Sequence, residues 1–333
     1  MVAKLRHWRA NMAVAVAAGL LIGTLGTAPA SAQGDNYPTK PIRVIVPFVA
    51  GGGNDIFARL VGAKASEILG QQMVIENRPA AGGRVAAEYV VSQPVDGYTI
   101  YIGASGNMSV AAAVYPDLAY SPLKNFIPLT MIADFPLVLI VPPKSSIKTV
   151  PDLVAFAKAN PDKSTYGTTS PAFTLTTEIL KMKTGMPGVA LPMKGSSEMV
   201  QCVNQDLCLL AFPDPPPSVA QAQDGMVRAI AVTGDKRSSQ LPDVPSMAEL
   251  GYPEVNTKLW SGFFVPAGTP KPVVEKLTRE LGRALADPHV QEGLKKMAVT
   301  PGGPTGDAFK KVIEDDIKVF AEVAKAANLK FEQ

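Results

Sequence analysis

Short runs of β-branched residues alternate with helical patterns through most of the chain. The first run is Ile42 to Val46, which is apolar enough for both of its faces to be covered. After the loop from Pro47 to Asn54, a helix with an apolar stripe is predicted from Asp55 to Leu69, and Gly70 ends it. The segments MVIEN, GGRVAAEYVV and YTIYIG continue the same order. This alternation is typical of an α/β fold with mostly parallel sheets.

A second series of strands and helices begins at Thr149, where Asp152 completes a capping-box pattern. Its predicted strands include GVALPM, LCLLAF and VRAIAV. Two long extended segments, PLTMIADFPLVLIVPP and LWSGFFVPAGTP, separate this series from the rest of the chain. We therefore predict two lobes with a cleft between them, joined by two extended crossings. Residues 33–134 begin lobe 1, residues 135–258 form lobe 2, and residues 259–333 complete lobe 1 and add C-terminal helices.

Residues 1–32 have the three parts of a secretory signal peptide. The basic stretch MVAKLRHWR precedes the apolar run MAVAVAAGLLIGTLGT, and small residues follow at Ala30 and Ala32. A membrane anchor is the alternative, but the apolar run is shorter than the ~20 residues that span a bilayer. We expect cleavage after Ala32, a periplasmic location, and no stable membrane insertion afterwards.

The charge balance bears on the binding partners, and the two cysteines bear on a possible disulfide. Outside residues 1–32 the chain carries 29 Lys and Arg residues and 29 Asp and Glu residues. A neutral body offers no basic footprint, so we expect no nucleic-acid partner. Cys202 and Cys208 lie six positions apart in a chain expected to be exported, where a disulfide can persist. A bridge and two reduced core residues both stay open, because spacing alone does not fix the geometry.

The histidine content argues against catalysis. Only His7 and His289 are present, and His7 lies in the leader. A Ser-His-Asp or Cys-His system needs an imidazole near its nucleophile, and His289 is far in sequence from the glycine-rich loop. No GxSxG elbow and no zinc-ligand cluster occur. We therefore predict no enzyme activity, no metal and no cofactor, with an exported α/β hydrolase as a disfavoured alternative. His289 is expected on a helix surface.

The glycine-rich segment PFVAGGGND lies between the first strand and the first helix. Free backbone N–H groups and the helix dipole at such a place attract an anion without any basic side chain. The segment lacks the Lys-Ser/Thr of a Walker loop and does not complete GxGxxG. Glycines that merely make a tight turn are the alternative, and both interpretations stay open.

Several segments resemble the Bug family, the periplasmic solute receptors of tripartite tricarboxylate transporters. They are YPTKPIRVIVPFVAGGGNDIFARL, ENRPAAGG, PVDGYTIYIG, RAIAVTGDKRSSQLPDVPSMAELGYP and GFFVPAGTPKPVVEKL. The resemblance covers essentially the whole chain after the leader. It implies a two-lobed type II periplasmic binding fold that closes on a small di- or tricarboxylate. It also implies delivery to membrane permease subunits by a monomeric receptor. Presentation of the carboxylate to a sensor protein is the alternative.

The resemblance also implies ligand contacts on both lobes. Those of the first lobe are Ala50, Gly51, Gly52, Asn54, Asp55, Ala81, Gly83, Ser105 and Asn107. Those of the second lobe are Thr169, Ser170, Phe173, Thr174, Met193, Lys194 and Asp214.

The chain departs from the family pattern in the second lobe. Phe173 falls where the family commonly has a serine, Thr174 where it has a histidine, and Met193 where it has a tyrosine. The common FDSLPS becomes FPDPPPS around Asp214. A more apolar wall at Phe173 and Met193 suits a ligand with an aromatic or medium-chain body. The alternative is that both side chains pack behind the loop and do not touch the ligand.

Overall fold

Six strands form a first mixed sheet in the structure, a computed structural model that describes residues 36–326. They are β1 (Ile42–Val46), β2 (Met73–Asn77), β3 (Thr99–Ala104), β4 (Phe126–Pro136), β10 (Lys258–Pro266) and β11 (Thr300–Pro301). Their order across the sheet is β11-β4-β10-β3-β1-β2. β1 pairs in parallel with β2 and β3, whereas β10 runs antiparallel to β3 and β4. The predicted signal peptide lies outside the described residues.

Five strands form a second sheet from the middle of the chain. They are β5 (Val138–Val141), β6 (Thr165–Thr168), β7 (Val189–Pro192), β8 (Leu210–Ala211) and β9 (Arg228–Val232), in the order β7-β6-β8-β5-β9. β6 is parallel to β7 and β8, and β5 is antiparallel to β8 and β9. The chain leaves the first sheet after Pro136 and returns to it at Lys258. The sheet changes therefore fall close to the predicted lobe boundaries, and the lobe assignment itself stays a prediction.

Helices cover both sheets. Those that accompany the first sheet are α1 (Gly53–Leu69), α2 (Arg84–Val91), α3 (Ala111–Val114), α4 (Pro122–Asn125), α9 (Lys271–Leu285), α10 (Pro288–Lys296) and α11 (Gly306–Ala326). Those of the second are α5 (Val150–Ala159), α6 (Pro171–Thr184), α7 (Ser196–Asn204) and α8 (Pro215–Gln223). The capping box of Thr149 and Asp152 starts α5, and Gly70 ends α1 in the left-handed conformation with φ 66°. Both local predictions are confirmed.

The sheets are more antiparallel than the strand–helix alternation suggests. β4 carries the chain out of the first sheet and β10 brings it back, so the two strands point in opposite directions and pair antiparallel. The predicted strand LCLLAF also shortens to Leu210–Ala211. The reason is local, because the N–H groups of Leu207 and Cys208 bond back to the Cys202 carbonyl in a tight turn.

That turn contains a disulfide between Cys202 and Cys208, whose Cα atoms are 5.3 Å apart. The bridge that the sequence left open is therefore present. His289 is exposed on α10, and its backbone N–H bonds to the carboxylate of Asp287. Among residues 36–326, no helix has both the length and the apolar composition required to span a bilayer. In the same range, no group of three or more His, Cys, Asp or Glu side chains is placed to hold a metal ion.

Candidate functional site

A narrow cavity lies where the carboxyl ends of β1 and β3 face the loops after β6 and β8. Carboxyl ends of strands are the usual ligand-binding edge of α/β sheets. The space open to the centre of a water molecule is about 10 Å³, enough for about one water. The lining residues are Phe48, Gly52, Gly53, Asn54, Ala104, Ser105, Gly106, Phe135, Thr169, Ser170, Phe173, Ser196, Asp214, Leu259 and Trp260. A carboxylate ligand of several carbon atoms therefore requires these walls to move apart.

The start of α1 faces this cavity. Its N-cap is Gly52, which is extended and offers no side chain to the first N–H groups of the helix. Those groups have no partners within the helix, so they stay available to an anion. The helix begins at Gly53, two residues before the approximate start at Asp55 that the sequence predicted. Gly53 and Asn54 consequently belong to the first helical turn at the cavity.

Asp55 holds the glycine-rich loop together. Its carboxylate accepts hydrogen bonds from the Gly51 N–H at 2.9 Å, from Arg59 Nε at 3.0 Å and from Asn77 Nδ2 at 3.0 Å. Burial by itself raises the pKa of Asp55, but these hydrogen bonds outweigh it, so the pKa lies below its ordinary value. Asp55 therefore shapes the loop and does not line the cavity.

Strand β10 holds two polar side chains of the cavity in place. The hydroxyl of Ser261 donates a 2.6 Å hydrogen bond to Asn54 Oδ1. The backbone N–H of Trp260 donates a 3.1 Å bond to Ser105 Oγ. The crossing strand thus fixes Asn54 on α1 and Ser105 after β3 at the same time.

Asp214 is the one charged residue among those that line the cavity. It is the N-cap of α8, yet its side chain does not cap that helix. Its backbone N–H donates a 3.2 Å hydrogen bond to Ser196 Oγ, and its carboxylate lies beside Ser196 and the backbone of Gly53, at the start of α1. The contact is close, because a Cβ on Gly53 would lie 2.9 Å from Asp214 Oδ2. Burial raises the pKa of Asp214 to about 6, against the opposing effect of the neighbouring Ser196 and Gly53.

The Asp214 contact bears on the anion site that the glycine-rich segment suggests. An acid group does lie at the start of α1, as the helix-terminus argument expects. In this structure that acid belongs to the protein, and it comes from the second sheet. The carboxylate of Asp214 therefore lies against Gly53, and Gly52 and Asn54 beside it line the cavity.

Aromatic side chains form much of the wall. Phe48, Phe135, Phe173 and Trp260 all line the cavity, and each is at most 7% exposed. Phe173 therefore lies where the apolar-wall hypothesis requires it. Met193 does not line the cavity, and its backbone N–H bonds to the Thr168 carbonyl. Whether the side chain of Met193 contacts the ligand stays a prediction.

Ser170 has an unsatisfied hydroxyl in this wall. The residue is 6% exposed, and its Oγ has no hydrogen-bond partner among the described residues. It lies against the first sheet, since a Cβ on Gly106 would be 2.6 Å from Ser170 Oγ. A buried hydroxyl without a partner costs free energy, so this group favours a polar ligand atom beside it.

The structure brings seven of the sixteen predicted contacts to the cavity. They are Gly52, Asn54, Ser105, Thr169, Ser170, Phe173 and Asp214. The other nine lie around it without lining it: Ala50, Gly51, Asp55, Ala81, Gly83, Asn107, Thr174, Met193 and Lys194. Ala50, Gly51 and Lys194 are exposed, and Thr174 is half-buried and bonds to the hydroxyl of Thr168. The role of all sixteen as ligand contacts stays a prediction.

The turn at Ala81–Gly83 contacts residues that line the cavity without lining it itself. A Cβ on Gly82 would lie 3.0 Å from the carbonyl oxygen of Thr169, so this turn abuts the second sheet's loop. Gly83 accepts a hydrogen bond from the Tyr101 hydroxyl. Asn107 accepts one from the Ala104 N–H, while its Nδ2 is buried without a partner in the described part of the chain.

Sequence reasoning missed several wall residues. They are Phe48, Gly53, Ala104, Phe135, Ser196, Leu259 and Trp260. Phe48 and Gly53 lie inside the glycine-rich segment, so that motif contained the signal. Phe135, Leu259 and Trp260 come from the two crossing strands, and no local pattern indicates that such strands pass beside the cavity.

Comparison with known proteins agrees with this geometry. Residues 57–329 match the profile described as "Tripartite tricarboxylate transporter family receptor". Protein BugT of Bordetella pertussis is 32% identical over 316 residues, which are 94% of this chain and 96% of BugT.

Two solved structures that are similar to this chain contain carboxylates. Rpa4515 of R. palustris, solved with adipate, is 33% identical with a TM-score of 0.85, over 89% of this chain and 99% of that one. MatC of Rhodopseudomonas palustris, with bound malate, is 27% identical with a TM-score of 0.82, over 86% and 99%.

The family match confirms two further predictions, a type II periplasmic binding fold and a binding protein instead of an enzyme. It also confirms the resemblance to Bug proteins that the motifs carry. The chain belongs to the receptor family of the tripartite tricarboxylate transporters.

Proposed function

We propose that this chain is a periplasmic receptor that binds a small carboxylate between its two sheets and delivers it to a tripartite tricarboxylate transporter permease. The observation that carries the proposal is the cavity at the start of α1, in a chain that belongs to a receptor family. The adipate and malate in the two similar structures support a carboxylate ligand. Cleavage after Ala32 and a monomeric state are parts of the same proposal.

The energetics allow such a ligand without a basic side chain. A helix start contributes ~0.3–1 kcal/mol to a nearby anion, and up to ~2 kcal/mol when it is partly buried. Hydrogen bonds to a charged group contribute ~1.5–3 kcal/mol each. A micromolar affinity corresponds to ~8 kcal/mol. A few first-turn amides of α1, together with hydroxyl groups such as those of Ser105 and Ser170, are therefore sufficient.

The ligand body in this proposal is apolar. The aromatic wall of Phe48, Phe135, Phe173 and Trp260 gains little from hydroxyl or additional carboxylate groups, because these lose their hydration on burial. An aromatic or medium-chain acid instead covers the wall with apolar surface. Closure of the lobes on such a ligand distinguishes the loaded receptor from the empty one for the permease.

A thermal-shift screen tests the ligand class. The panel contains adipate, benzoate, terephthalate, malate and citrate, because a ligand that binds only the folded state raises its stability. We expect adipate or an aromatic acid to give the largest increase in melting temperature. A large increase with citrate or malate, together with no increase with the aromatic acids, contradicts the proposal that the ligand has an apolar body. No response to any carboxylate contradicts the receptor proposal.

Phe173 offers a sharper test of the wall. Phe173→Ser restores the residue that the family resemblance suggests, and it removes most of one apolar wall. We expect affinity for the best aromatic or medium-chain acid to fall roughly tenfold or more, since a buried Phe side chain contributes ~1.5–3 kcal/mol. Titration calorimetry measures this change. Phe156→Leu on α5, outside the cavity lining, is the control and leaves affinity unaltered.

Transport itself requires a separate measurement. Proteoliposomes with the permease subunits accumulate the labelled acid only when this receptor is added, if the delivery step is correct. Equal uptake without the receptor contradicts delivery, even where binding is demonstrated.

A further inference from the structure

Asp214 and the predicted ligand carboxylate compete for the same place in the cavity. Asp214 is 5% exposed and its carboxylate lies at the first turn of α1, against Gly53. The start of α1 is also where the proposed function places the acid group of the ligand. No Lys, Arg or His lines the cavity, so the described lining holds no cation to separate two carboxylates.

The charged groups on the elements packed against Asp214 are engaged elsewhere. Helix α8, which Asp214 begins, has no charged residue. The elements packed against it that do have charged residues are α1, α7 and β9. On α1, Asp55 pairs with Arg59, and Lys64 pairs with Glu67. The charged groups at the other two elements are Glu198, which accepts the Lys194 N–H, and Arg228, which donates to the carbonyls of Pro143, Ser145 and Ile147. Asp214 forms no ion pair within the described residues.

Two carboxylates that share such a site cannot both stay ionised at low cost. Like charges in close contact raise the pKa of one member of the pair strongly. Burial already raises the pKa of Asp214 toward neutrality. Ser170 provides an independent indication of a polar ligand atom nearby, because this residue lines the same cavity and its buried hydroxyl has no partner among the described residues.

We propose that Asp214 is a proton-holding contact of the ligand, a neutral carboxyl that donates a hydrogen bond to the bound carboxylate, so that binding takes up one proton from solvent. This inference rests on the proposed function, since it requires a carboxylate in the cavity. The O–H group of protonated Asp214 then replaces a like-charge contact with a charge-assisted hydrogen bond, which is among the stronger ones. Asp214 thereby makes affinity depend on pH.

Titration calorimetry with adipate and, in parallel, benzoate as probes tests the inference. At pH 7.5 the binding heat is measured in phosphate and in Tris, whose ionisation enthalpies differ, so the slope gives the number of protons taken up. We expect a value close to one per bound carboxylate. We also expect affinity to fall about tenfold for each pH unit above pH 7.

Two variants assign the proton to a residue. Asp214→Asn keeps the shape and the donor but holds no titrating proton, so its proton uptake should vanish and its affinity should change less than twofold between pH 6.5 and 8.5. Asp224→Asn, at the exposed far end of α8, should retain the proton uptake of the unaltered protein.

The outcomes separate the two proposals. Binding without proton uptake in the unaltered protein overturns the inference and leaves the receptor proposal standing. Proton uptake that persists in Asp214→Asn also overturns it, because another group then takes the proton. Failure of both probes and of the other panel acids to bind contradicts the receptor proposal, and the inference falls with it.

Discussion

Asp214 shows how one residue connects the two sheets. It begins α8, where an aspartate ordinarily caps its own helix. Here its carboxylate reaches the first turn of α1 instead, beside Gly53 and Ser196. Gly53 permits this approach because a side chain at that position would collide with the carboxylate. A local capping residue thereby becomes a contact between elements that are more than 150 positions apart in sequence.

This contact predicts a pH dependence of stability. The folded pKa of Asp214 is raised to about 6 from an ordinary 3.8, so its favourable contribution is present below pH 3.8 and is lost as pH rises through about 6. Relative to the unaltered protein, Asp214→Asn should therefore gain free energy of unfolding between pH 4 and 7. The shift corresponds to about 3 kcal/mol. Urea unfolding of both proteins across this range measures the difference.

Taking the difference between the two proteins removes the background from other carboxyl groups, such as Asp55, whose lowered pKa destabilises the fold in acid. Asp224→Asn is the matched control and should show no such trend. A constant difference between Asp214→Asn and the unaltered protein across pH 4 to 7 would mean that the burial of Asp214 has no effect on its titration.

At the scale of elements, β4 and β10 connect the two sheets and also contribute side chains to the core of the first sheet. They pair antiparallel over most of their length, and β10 also pairs with β3. Gly103 and Gly262 lie opposite each other in that second pairing. Their missing side chains leave room for the rings of Phe264 and Phe309, which pack beside Trp260 in the core.

Gly262→Ala tests this packing. A Cβ at position 262 would lie 2.5 Å from Cζ of Phe309 and 3.1 Å from the Thr130 carbonyl oxygen, so the ring has to move. Overpacking of this kind lowers the free energy of unfolding by ~1–3 kcal/mol. Gly282→Ala on α9 is the control, because nothing lies within 4 Å of its Cβ position, and it should gain roughly 1 kcal/mol from helix propensity. Equal stability of both variants would show that the aromatic cluster accommodates the methyl group.

At the scale of the whole molecule, the two crossing strands place Trp260 at the cavity. Its indole Nε1 donates a 2.6 Å hydrogen bond to Asp316 on α11, and its ring stands edge-on to Phe309 at a centroid distance of 4.9 Å. One side of this residue is therefore held by the core of the first sheet, and the residue also lines the cavity. Any movement of the walls alters its surroundings.

Tryptophan fluorescence should consequently report ligand binding. The chain has two tryptophans, and Trp8 belongs to the predicted leader, so the processed protein fluoresces through Trp260 alone. A carboxylate that stabilises the protein in the thermal screen should change the emission intensity or wavelength of Trp260. Trp260→Phe should abolish the signal. Unaltered emission at a ligand concentration that saturates the thermal shift would place the ligand away from Trp260.

Most elements were predictable because their signals are local. The apolar run of β1, the capping box at Thr149 and the stop at Gly70 depend on neighbouring residues only. The glycine-rich segment likewise marked the start of α1 as one wall of the cavity. One strand prediction was too long because a local turn went unrecognised. The strand at β8 is short because the turn at Cys202 and Cys208 consumes its beginning.

The local order of residues was sufficient for the α/β class, the family and the first-lobe loop, because hydrophobic period, caps and motifs act over a few positions. Tertiary structure alone decided which side chains meet across the two sheets. It brought Asp214 to Gly53 and Phe173 to the cavity, and it set the antiparallel course of β4 and β10. The physical reason is that contacts between distant segments depend on how whole sheets pack, which no short stretch of sequence encodes.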